Sequence, residues 1–163
     1  YNYDLIDHID TRIKEPKSIV KKMEKKKYKK TYYNLIEKIN DIAGMRIVCT
    51  LKDDIFFIKD LVKQIPDIHI LNEKDYVTNP KPSGYSSYHM IVEVPVKLSQ
   101  KTIYVKCEIQ IRTLAMDFWA SFEHKVKYKT EQEVNKKTSK ELVNCAKMIS
   151  KFDDKMISLK NIQ

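Results

Sequence analysis

Apolar and polar side chains alternate most regularly in the segment TIYVKCEIQIRT, residues 102–113. The apolar positions are Ile103, Val105, Cys107, Ile109 and Ile111. The positions between them form a polar row: Tyr104, Lys106, Glu108, Gln110 and Arg112. Since successive side chains of a β-strand point to opposite faces, this alternation predicts a strand with one apolar and one polar face. The polar row is compatible with a solvent-facing strand or with a surface that holds a polar ligand.

The remaining pattern predicts helices around two further strands. AGMRIVCTL and YHMIVEVPV are rich in β-branched and apolar residues, which is typical of strands. Apolar residues at helical spacing predict helices in PKSIVKKMEKK, TYYNLIEKIND, DDIFFIKDLVKQI and LAMDFWASFEHKVKYK, and an amphipathic C-terminal helix over residues 136–163. Either Asp53 or Asp54 is expected to be the N-cap residue of the third of these helices. The order helix, helix, strand, helix, strand, strand, helix, helix predicts an α+β fold, a mixed β-sheet flanked by helices.

The length of 163 residues predicts a single domain, residues 1–163. The chain begins with Tyr rather than Met, which we interpret as trimming at the N-terminus. No apolar run approaches the roughly 20 residues of a membrane span, so no membrane is expected among its partners. The three cysteines, Cys49, Cys107 and Cys145, are far apart in apolar contexts. They are expected to be reduced and buried, which indicates a cytoplasmic protein.

The net charge of +9 favours anionic partners: nucleic acid, an acidic membrane surface or phosphorylated small molecules. Its densest part is KKMEKKKYKK, residues 21–30, which is equally compatible with a solvated helix face. The sequence contains no GxxxxGK[ST] and no GxGxxG, so a P-loop and a dinucleotide-binding turn are excluded. Bound phosphates would therefore be held by side chains. Candidates in RIKEPKSIVKK are Arg12, Lys14, Ser18 and Lys22.

One of only two glycines, Gly84, lies in NPKPSGYSSYHMIVEV. The prolines stiffen the approach, and the glycine indicates a tight turn at the start of a strand. Tyr85 could stack on a nucleobase from this turn or pack on the core with its hydroxyl outward. Tyr88 points to the opposite side of the strand from Tyr85 and is predicted to belong to the core. His89 is compatible with a phosphate contact or with a structural role in the strand.

Two carboxylates complete the candidate chemistry. Asp41 precedes the predicted strand that contains Gly44, and Glu108 belongs to the polar row. Asp41 alone is compatible with an ordinary turn residue. If the two strands are neighbours, the carboxylates converge at one end of the sheet and form a site suited to Mg²⁺. Such a site implies a phosphorylated substrate, in agreement with the positive charge.

Four segments together resemble the RelA/SpoT-type (p)ppGpp synthetases, and most closely the small members that consist of the synthetase domain alone. They are RIKEPKSIVKKM, DIAGMRIVC, PKPSGYSSYHMIV and EIQIRTLAMDFWASFEHKVKYK, in family order. The resemblance implies a nucleotidyltransferase-like synthetase fold. It also implies a GTP/GDP pyrophosphokinase, which transfers the β,γ-diphosphate of ATP to the 3′-hydroxyl of GDP or GTP and releases AMP. The hydrolase and regulatory domains of the long family members are not represented.

The resemblance also implies roles for individual residues. ATP would be bound by Arg12, Lys14, Ser18, Lys22 and Arg46. GDP or GTP would be bound by Lys81, Tyr85, His89 and Asp117. Mg²⁺ would be held by Asp41 with help from Glu108, which would also orient or deprotonate the 3′-hydroxyl, and Gln110 and Arg112 would support the site. The implied assembly is a homo-oligomer, a tetramer.

The chain departs from the family pattern at two positions of the site. Asp117 replaces the Asn that relatives often carry near guanine, and Lys25 replaces an arginine. The alternative reading is a basic RNA-binding module on a synthetase-like fold without catalysis. The lysine run and the scattered tyrosines favour it, whereas the carboxylates Asp41 and Glu108 would repel an RNA backbone.

Overall fold

A computed structural model describes residues 3–129 and 135–160, which form five strands and five helices. In chain order they are β1 (Ile6–Ile13), α1 (Pro16–Lys25), α2 (Tyr32–Lys38), β2 (Ala43–Cys49), α3 (Lys52–Lys63), β3 (His69–Asp75), β4 (Tyr88–Lys97), β5 (Thr102–Thr113), α4 (Leu114–Lys129) and α5 (Lys136–Lys160). All five predicted helices and all three predicted strands are present. None of the helices within these residues has the combination of length and hydrophobicity that crossing a bilayer requires.

The strands form one mixed sheet in the order β1-β2-β5-β4-β3. β2 and β5 run parallel, and every other neighbouring pair is antiparallel. The register places Gly44 of β2 beside Glu108 of β5, and Arg46 beside Gln110. The two strands on which the sequence placed the candidate chemistry are therefore central neighbours. The prediction of a mixed sheet flanked by helices is confirmed.

The hydrophobic core lies on one face of this sheet. Ile109 and Ile111 of β5 pack there with Ile47 of β2 and Met90 of β4, and α3 covers them with apolar side chains that include Ile55. Tyr88 is 8% exposed and belongs to this core, as predicted from its facing. Because apolar side chains cover one face, the polar row of β5 projects from the opposite face.

Two strands were missed in the sequence, and both lie at the edges of the sheet. β1 and β3 have no side chain in the buried class, and charged residues interrupt both. An edge strand with exposed faces needs no strict alternation, so its sequence carries little signal. As a consequence Arg12 lies in β1, although the sequence placed it in the approach to a helix.

Two smaller predictions were also wrong. α3 begins after Leu51, and Asp54 caps it from the third helical position, where its carboxylate accepts from the Leu51 N–H at 3.0 Å. Cys49 is buried, but Cys107 is half-buried and Cys145 is exposed. Cys145 lies on the outer side of α5, because the predicted amphipathic helix directs other positions inward. All three cysteines are free thiols.

Gly84 requires glycine for two reasons. Its φ is +91°, a conformation that side chains disfavour. A Cβ at this position would also lie 2.5 Å from the Cβ of Ala146 in α5. The predicted tight turn is present, with the Gly84 N–H donating to the Lys81 carbonyl at 2.8 Å. The close approach of α5 was not visible in the sequence, because the two residues are far apart along the chain.

Replacing Gly84 by Ala is expected to lower the free energy of unfolding by about 2–4 kcal/mol, as left-handed strain adds to overpacking against Ala146. Chemical denaturation measures this loss. Gly44→Ala is the matched control, because an added Cβ there would meet the flexible Arg12 side chain at 3.4 Å and the Glu108 carbonyl oxygen at 3.9 Å, without a clash. A second change, Ala146→Gly, should recover the packing part of the loss. Equal stability of Gly84→Ala and wild type would contradict this account.

Candidate active site

Glu108 is at the centre of a hydrogen-bonded group on the polar face of the sheet. Gln110, two residues along β5, donates to Glu108 Oε2 at 2.9 Å. His89 lies on the neighbouring strand β4, and its Nδ1 is 3.3 Å from Glu108 Oε1. Tyr85 continues the group, with its hydroxyl 2.8 Å from His89 Nε2. Arg112 donates both to the Tyr85 hydroxyl oxygen and to Gln110 Oε1.

These contacts fix the direction of the hydrogen bonds. The ionised Glu108 carboxylate can only accept, so His89 carries a proton on Nδ1 and donates to it. In the neutral imidazole Nε2 then accepts the Tyr85 O–H, while the Tyr85 oxygen accepts from Arg112. Both oxygens of Glu108 therefore receive a donor. Burial by itself would raise the pKa of Glu108, but the bonds from His89 and Gln110 outweigh it and lower the pKa below its usual value.

Two arginines converge beside this group on Asp117, at the start of α4. Asp117 Oδ1 lies 3.3 Å from Arg46 and 3.5 Å from Arg112. Arg112 is 3% exposed, so its charge is held in a buried position. Nε of Arg46 and Nε of Arg112 are buried, and neither has a hydrogen-bond partner within the described part of the chain. Buried donors of this kind are suited to an anionic or carbonyl group of a ligand.

A cleft of about 160 Å³ opens next to Glu108, between β1, β2 and β5. Arg12 and Arg46 line it together with Glu108 and Gln110. Gly44 also lines the cleft, and the absence of a side chain there leaves space for Arg12, whose Cγ would lie 3.4 Å from an added Cβ. The cleft therefore combines two guanidinium groups with the central carboxylate.

Asp41 lies at the same end of the sheet, just before β2. Its carboxylate pairs with Lys14 at 2.9 Å and with Lys22 at 2.8 Å. Burial by itself would raise the pKa of Asp41, but the two ammonium groups outweigh it and lower the pKa. The negative charge of Asp41 opposes the ionisation of Glu108, although the bonds from His89 and Gln110 still leave the pKa of Glu108 below its usual value. The parallel pairing of β2 with β5 places Gly44, three residues after Asp41, beside Glu108.

A lysine of β5 supports the segment that carries Asp41. Lys106 Nζ donates to the carbonyl oxygens of Glu37 at 3.0 Å and of Ile36 at 3.3 Å, at the C-terminal end of α2. Cations at this position satisfy the last carbonyl groups of a helix. Because Asp41 follows the end of α2 by only three residues, this contact helps to fix the path of the backbone that leads to Asp41.

The turn after β3 adds Lys81 and Tyr85 to the site. The Lys81 ammonium lies 4.7 Å from the centroid of the Tyr85 ring and 4.5 Å from that of Tyr76. Tyr85 is half-buried, and burial raises the pKa of its hydroxyl. Its ring contacts Lys81 and Arg112, so it faces the site and does not belong to the hydrophobic core.

The structure brings most of the sequence-predicted residues together in two linked groups. One contains Glu108 with Lys81, Tyr85, His89, Gln110, Arg112, Asp117 and Arg46, and the other contains Asp41 with Lys14 and Lys22. Arg12 lines the cleft between them. Ser18 is exposed on α1, one turn before Lys22, and the structure shows no side-chain contact from it to either group.

Sequence reasoning missed two residues of the site. Asp10 of β1 lines the cleft and lies 3.7 Å from Arg46, and Tyr76 contacts Lys81, Tyr85 and His89. Recognition of β1 as a strand would have placed Asp10 two residues before Arg12, on the same face. Tyr76 had no comparable signal, because it is one of ten tyrosines.

Comparison with known proteins finds similar sequences and similar folds. The family described as "Region found in RelA / SpoT proteins" matches residues 11–133. The chain is 44% identical to GTP pyrophosphokinase YwaC of Bacillus subtilis, over 98% of this chain and 76% of that protein. Its structure is similar to that of small alarmone synthetase 2 from Bacillus subtilis, with a TM-score of 0.90 and 43% identity over 99% of this chain and 84% of the other. Small alarmone synthetase 1 from the same organism, bound to its product pppGpp, gives 0.88 and 35% over 96% and 79%.

The fold and the site thus define a synthetase-type nucleotide transferase, and the chain belongs to the RelA/SpoT family. Within this family its similarity is to the small alarmone synthetases. The predictions of the family, of the fold and of a GTP pyrophosphokinase that makes (p)ppGpp are confirmed. Pyrophosphokinases of this family typically use a divalent metal.

Proposed function

We propose that this chain transfers the β,γ-diphosphate of ATP to the ribose 3′-hydroxyl of GDP or GTP and releases AMP. The observation that carries the proposal is the position of Glu108. Its carboxylate receives a hydrogen bond on each oxygen and borders a cleft that contains two arginines. Diphosphate transfer brings two highly anionic nucleotides together, so catalysis depends on positioning and charge neutralisation. The site supplies both.

ATP is assigned to the cleft and to the side of the site formed by β1 and α1. Arg12 and Arg46 would contact adenine and phosphates, which agrees with their position in the cleft. Lys14 and Lys22 would contact the phosphates. Their ammonium groups already converge on one point, the Asp41 carboxylate. Ser18, exposed one turn from Lys22 on α1, would line the same side.

Mg²⁺ is the metal that we assign to Asp41 and Glu108. Among the described residues no three His, Cys, Asp or Glu side chains form a metal cluster. Two carboxylates nevertheless suit Mg²⁺, which is usually bound by one or two carboxylates, substrate phosphates and water. The donor set therefore fits. The bound metal supplies neutralisation of charge on the transferred phosphates.

The acceptor nucleotide is assigned to the turn that carries Lys81 and Tyr85. Tyr85 would stack on guanine, and Lys81 and His89 would contact the 5′-phosphates. Asp117 would accept hydrogen bonds from guanine, while its pairing with Arg46 and Arg112 offsets its charge. Gln110 and Arg112 support the site by holding Glu108 and Tyr85.

Glu108 would accept the hydrogen bond of the 3′-hydroxyl and so direct its oxygen toward the β-phosphorus of ATP. A bond forms between these atoms, and the bond from the β-phosphorus to the α,β-bridging oxygen breaks. AMP leaves with that oxygen and its electron pair, and the hydroxyl proton goes to Glu108. Glu108 would therefore both orient the hydroxyl and accept its proton as the new bond forms.

Self-association and RNA binding are further proposals. Phe118 and Phe122 of α4 are 70% and 52% exposed, and their rings stack at 6.4 Å. Exposed aromatic pairs of this kind are typical of interfaces, which supports a homo-oligomer, a tetramer by resemblance. Sedimentation tests this, since Phe122→Ser should form the oligomer less readily than wild type.

The exposed lysines of the 21–30 run support RNA as an additional partner. Free cysteines and nucleotide substrates support a cytoplasmic location.

A turnover assay tests the proposed activity. The protein is mixed with Mg²⁺, ATP and either GDP or GTP, and the nucleotides are resolved by anion exchange. We expect AMP together with a guanosine nucleotide of higher charge, and the two acceptors reveal the preference. Folded protein that produces neither would overturn the proposed activity, and binding of RNA by the same protein would then favour the alternative function.

Replacing Tyr85 by Ala is expected to weaken GDP binding by about 1–3 kcal/mol, the value of one base–aromatic stack. ATP binding should not change. Calorimetric titration with each nucleotide measures both. Tyr85→Phe keeps the ring and should keep most of the affinity, although it loses the hydroxyl contacts. Tyr104→Ala is the matched control, because Tyr104 is an exposed tyrosine of the same sheet that stacks on His69, outside the site. Equal losses for ATP and GDP would indicate a folding role.

A further inference from the structure

Lys81 rests between two aromatic rings. Its ammonium is 4.5 Å from the Tyr76 centroid and 4.7 Å from the Tyr85 centroid, within the range of a cation–π interaction. Within the described part of the chain, its side-chain partners are these two rings and no carboxylate. The turn itself is fixed, because the Lys81 N–H donates to the Tyr85 carbonyl at 3.0 Å. Lys81 therefore lies over the ring that the proposed function assigns to guanine.

Arg112, His89 and Tyr76 also hold the Tyr85 side chain in place. Arg112 Cζ lies 5.5 Å from its centroid, and the Tyr85 hydroxyl bonds to His89 and Arg112. Tyr76 contacts the same group edge to face, with centroid distances of 6.3 Å to Tyr85 and 5.3 Å to His89. Arg112 is buried and ion-paired, so it cannot leave this position. Lys81 is exposed on a flexible stem and can leave.

We propose that Lys81 covers the stacking face of Tyr85 in the nucleotide-free protein, and that the acceptor's 5′-phosphates must draw it away before guanine can stack. Tyr76 is the positioning residue that holds Lys81 in its resting place. A hydrogen bond between an ammonium and a phosphate is stronger than an exposed cation–π contact, so phosphates displace Lys81. A guanine nucleoside, which has no phosphates, cannot displace Lys81. The resting position of Lys81 therefore selects nucleotides over nucleosides. This proposal rests on the proposed function, which assigns guanine to Tyr85.

This proposal predicts opposite effects on two ligands. Lys81→Met removes the charge and keeps the length of the side chain. Guanosine should then bind more tightly by about two- to five-fold, the equivalent of one exposed cation–π contact, while GDP should bind more weakly because a phosphate partner is lost. If Lys81 were only a phosphate ligand, guanosine affinity would not change. Lys97→Met is the control for charge removal, since Lys97 lies at the far end of β4.

Tyr76 is tested by a double-mutant cycle with Lys81. Tyr76→Leu weakens the resting position of Lys81, so GDP should bind about two- to five-fold more tightly. Tyr76→Phe keeps a ring and should behave as wild type. In the Lys81→Met background, Tyr76→Leu should have no effect. A merely structural role would instead lower GDP affinity in both backgrounds.

Calorimetric titration of each variant with guanosine and with GDP decides the outcome. A gain for guanosine in Lys81→Met, with a Tyr76 effect that depends on Lys81, supports the proposal. Unchanged guanosine affinity in Lys81→Met overturns it, even if wild type binds GDP and forms product. Wild type that binds GDP but forms no AMP would overturn the proposed function, and the titrations would still report on Lys81 and Tyr76.

Discussion

Replacing Glu108 by Gln is expected to lower the rate of diphosphate transfer by about 10²–10⁴-fold and to leave the binding of both nucleotides nearly unchanged. Gln has the same shape and can still accept one hydrogen bond, from Gln110 or His89. It cannot take the proton of the 3′-hydroxyl, and it removes a negative charge from the proposed metal site. Single-turnover measurement of AMP release, with separate titrations of ATP and GDP, separates chemistry from binding.

Glu93→Gln is the matched control for this change. Glu93 lies on β4, paired with Lys106 of β5, so it shares the sheet but not the contacts of Glu108. We expect it to retain wild-type turnover. A Glu108→Gln protein with near-normal turnover would remove Glu108 from the mechanism. A loss of binding equal to the loss of turnover would assign it to the support of His89 and Gln110 instead.

Replacing Asp41 by Asn should reduce transfer by about 10³-fold or more, since a metal ion contributes several kcal/mol to the stabilisation of charge during phosphoryl transfer. The change also leaves Lys14 and Lys22 without their shared carboxylate. The activity should require a higher Mg²⁺ concentration than in wild type. Titration of turnover with Mg²⁺ at saturating ATP and GDP measures both effects.

The control for Asp41 is Glu73→Gln. Glu73 is likewise a carboxylate with a lysine partner, at 2.8 Å from Lys63, but it accepts from the core residue Tyr88 and lies outside the site. It should keep the wild-type dependence on Mg²⁺. An Asp41→Asn protein with unchanged turnover and unchanged Mg²⁺ dependence would exclude Asp41 as a ligand, whatever its effect on stability.

The sequence was informative where the burial of one face of a strand imposes a regular pattern on successive residues. The row of β5 could be read because a strand between a core and a site must alternate, and it placed Glu108, Gln110 and Arg112 on one face. Tyr88 could be assigned to the core for the same reason. Asp41 and Glu108 could be brought together only on the assumption that their strands are neighbours, which the parallel pairing of β2 and β5 bears out.

The rest depended on contacts between distant positions. Edge strands β1 and β3 obey no burial pattern, so the position of Arg12 in a strand and the presence of Asp10 in the cleft were not predictable. The contact of Lys81 with Tyr76 depends on the path of the turn between β3 and β4. The directions of the hydrogen bonds that link Arg112, Tyr85, His89 and Glu108 could not be predicted from the sequence. A histidine between two polar groups can adopt either tautomer, so its neighbours must be known first.

The contact between Gly84 and Ala146 bears on the order in which the protein becomes active during synthesis. Every residue to which we assign a chemical role precedes α5, so a growing chain carries the full set before residue 136 has been made. The turn that holds Lys81 and Tyr85 nevertheless packs against α5, with Gly84 directly under Ala146. A nascent or prematurely ended chain could therefore assemble its ATP side while its acceptor turn lacks a support. Acceptance of the guanine nucleotide would then begin only when α5 docks.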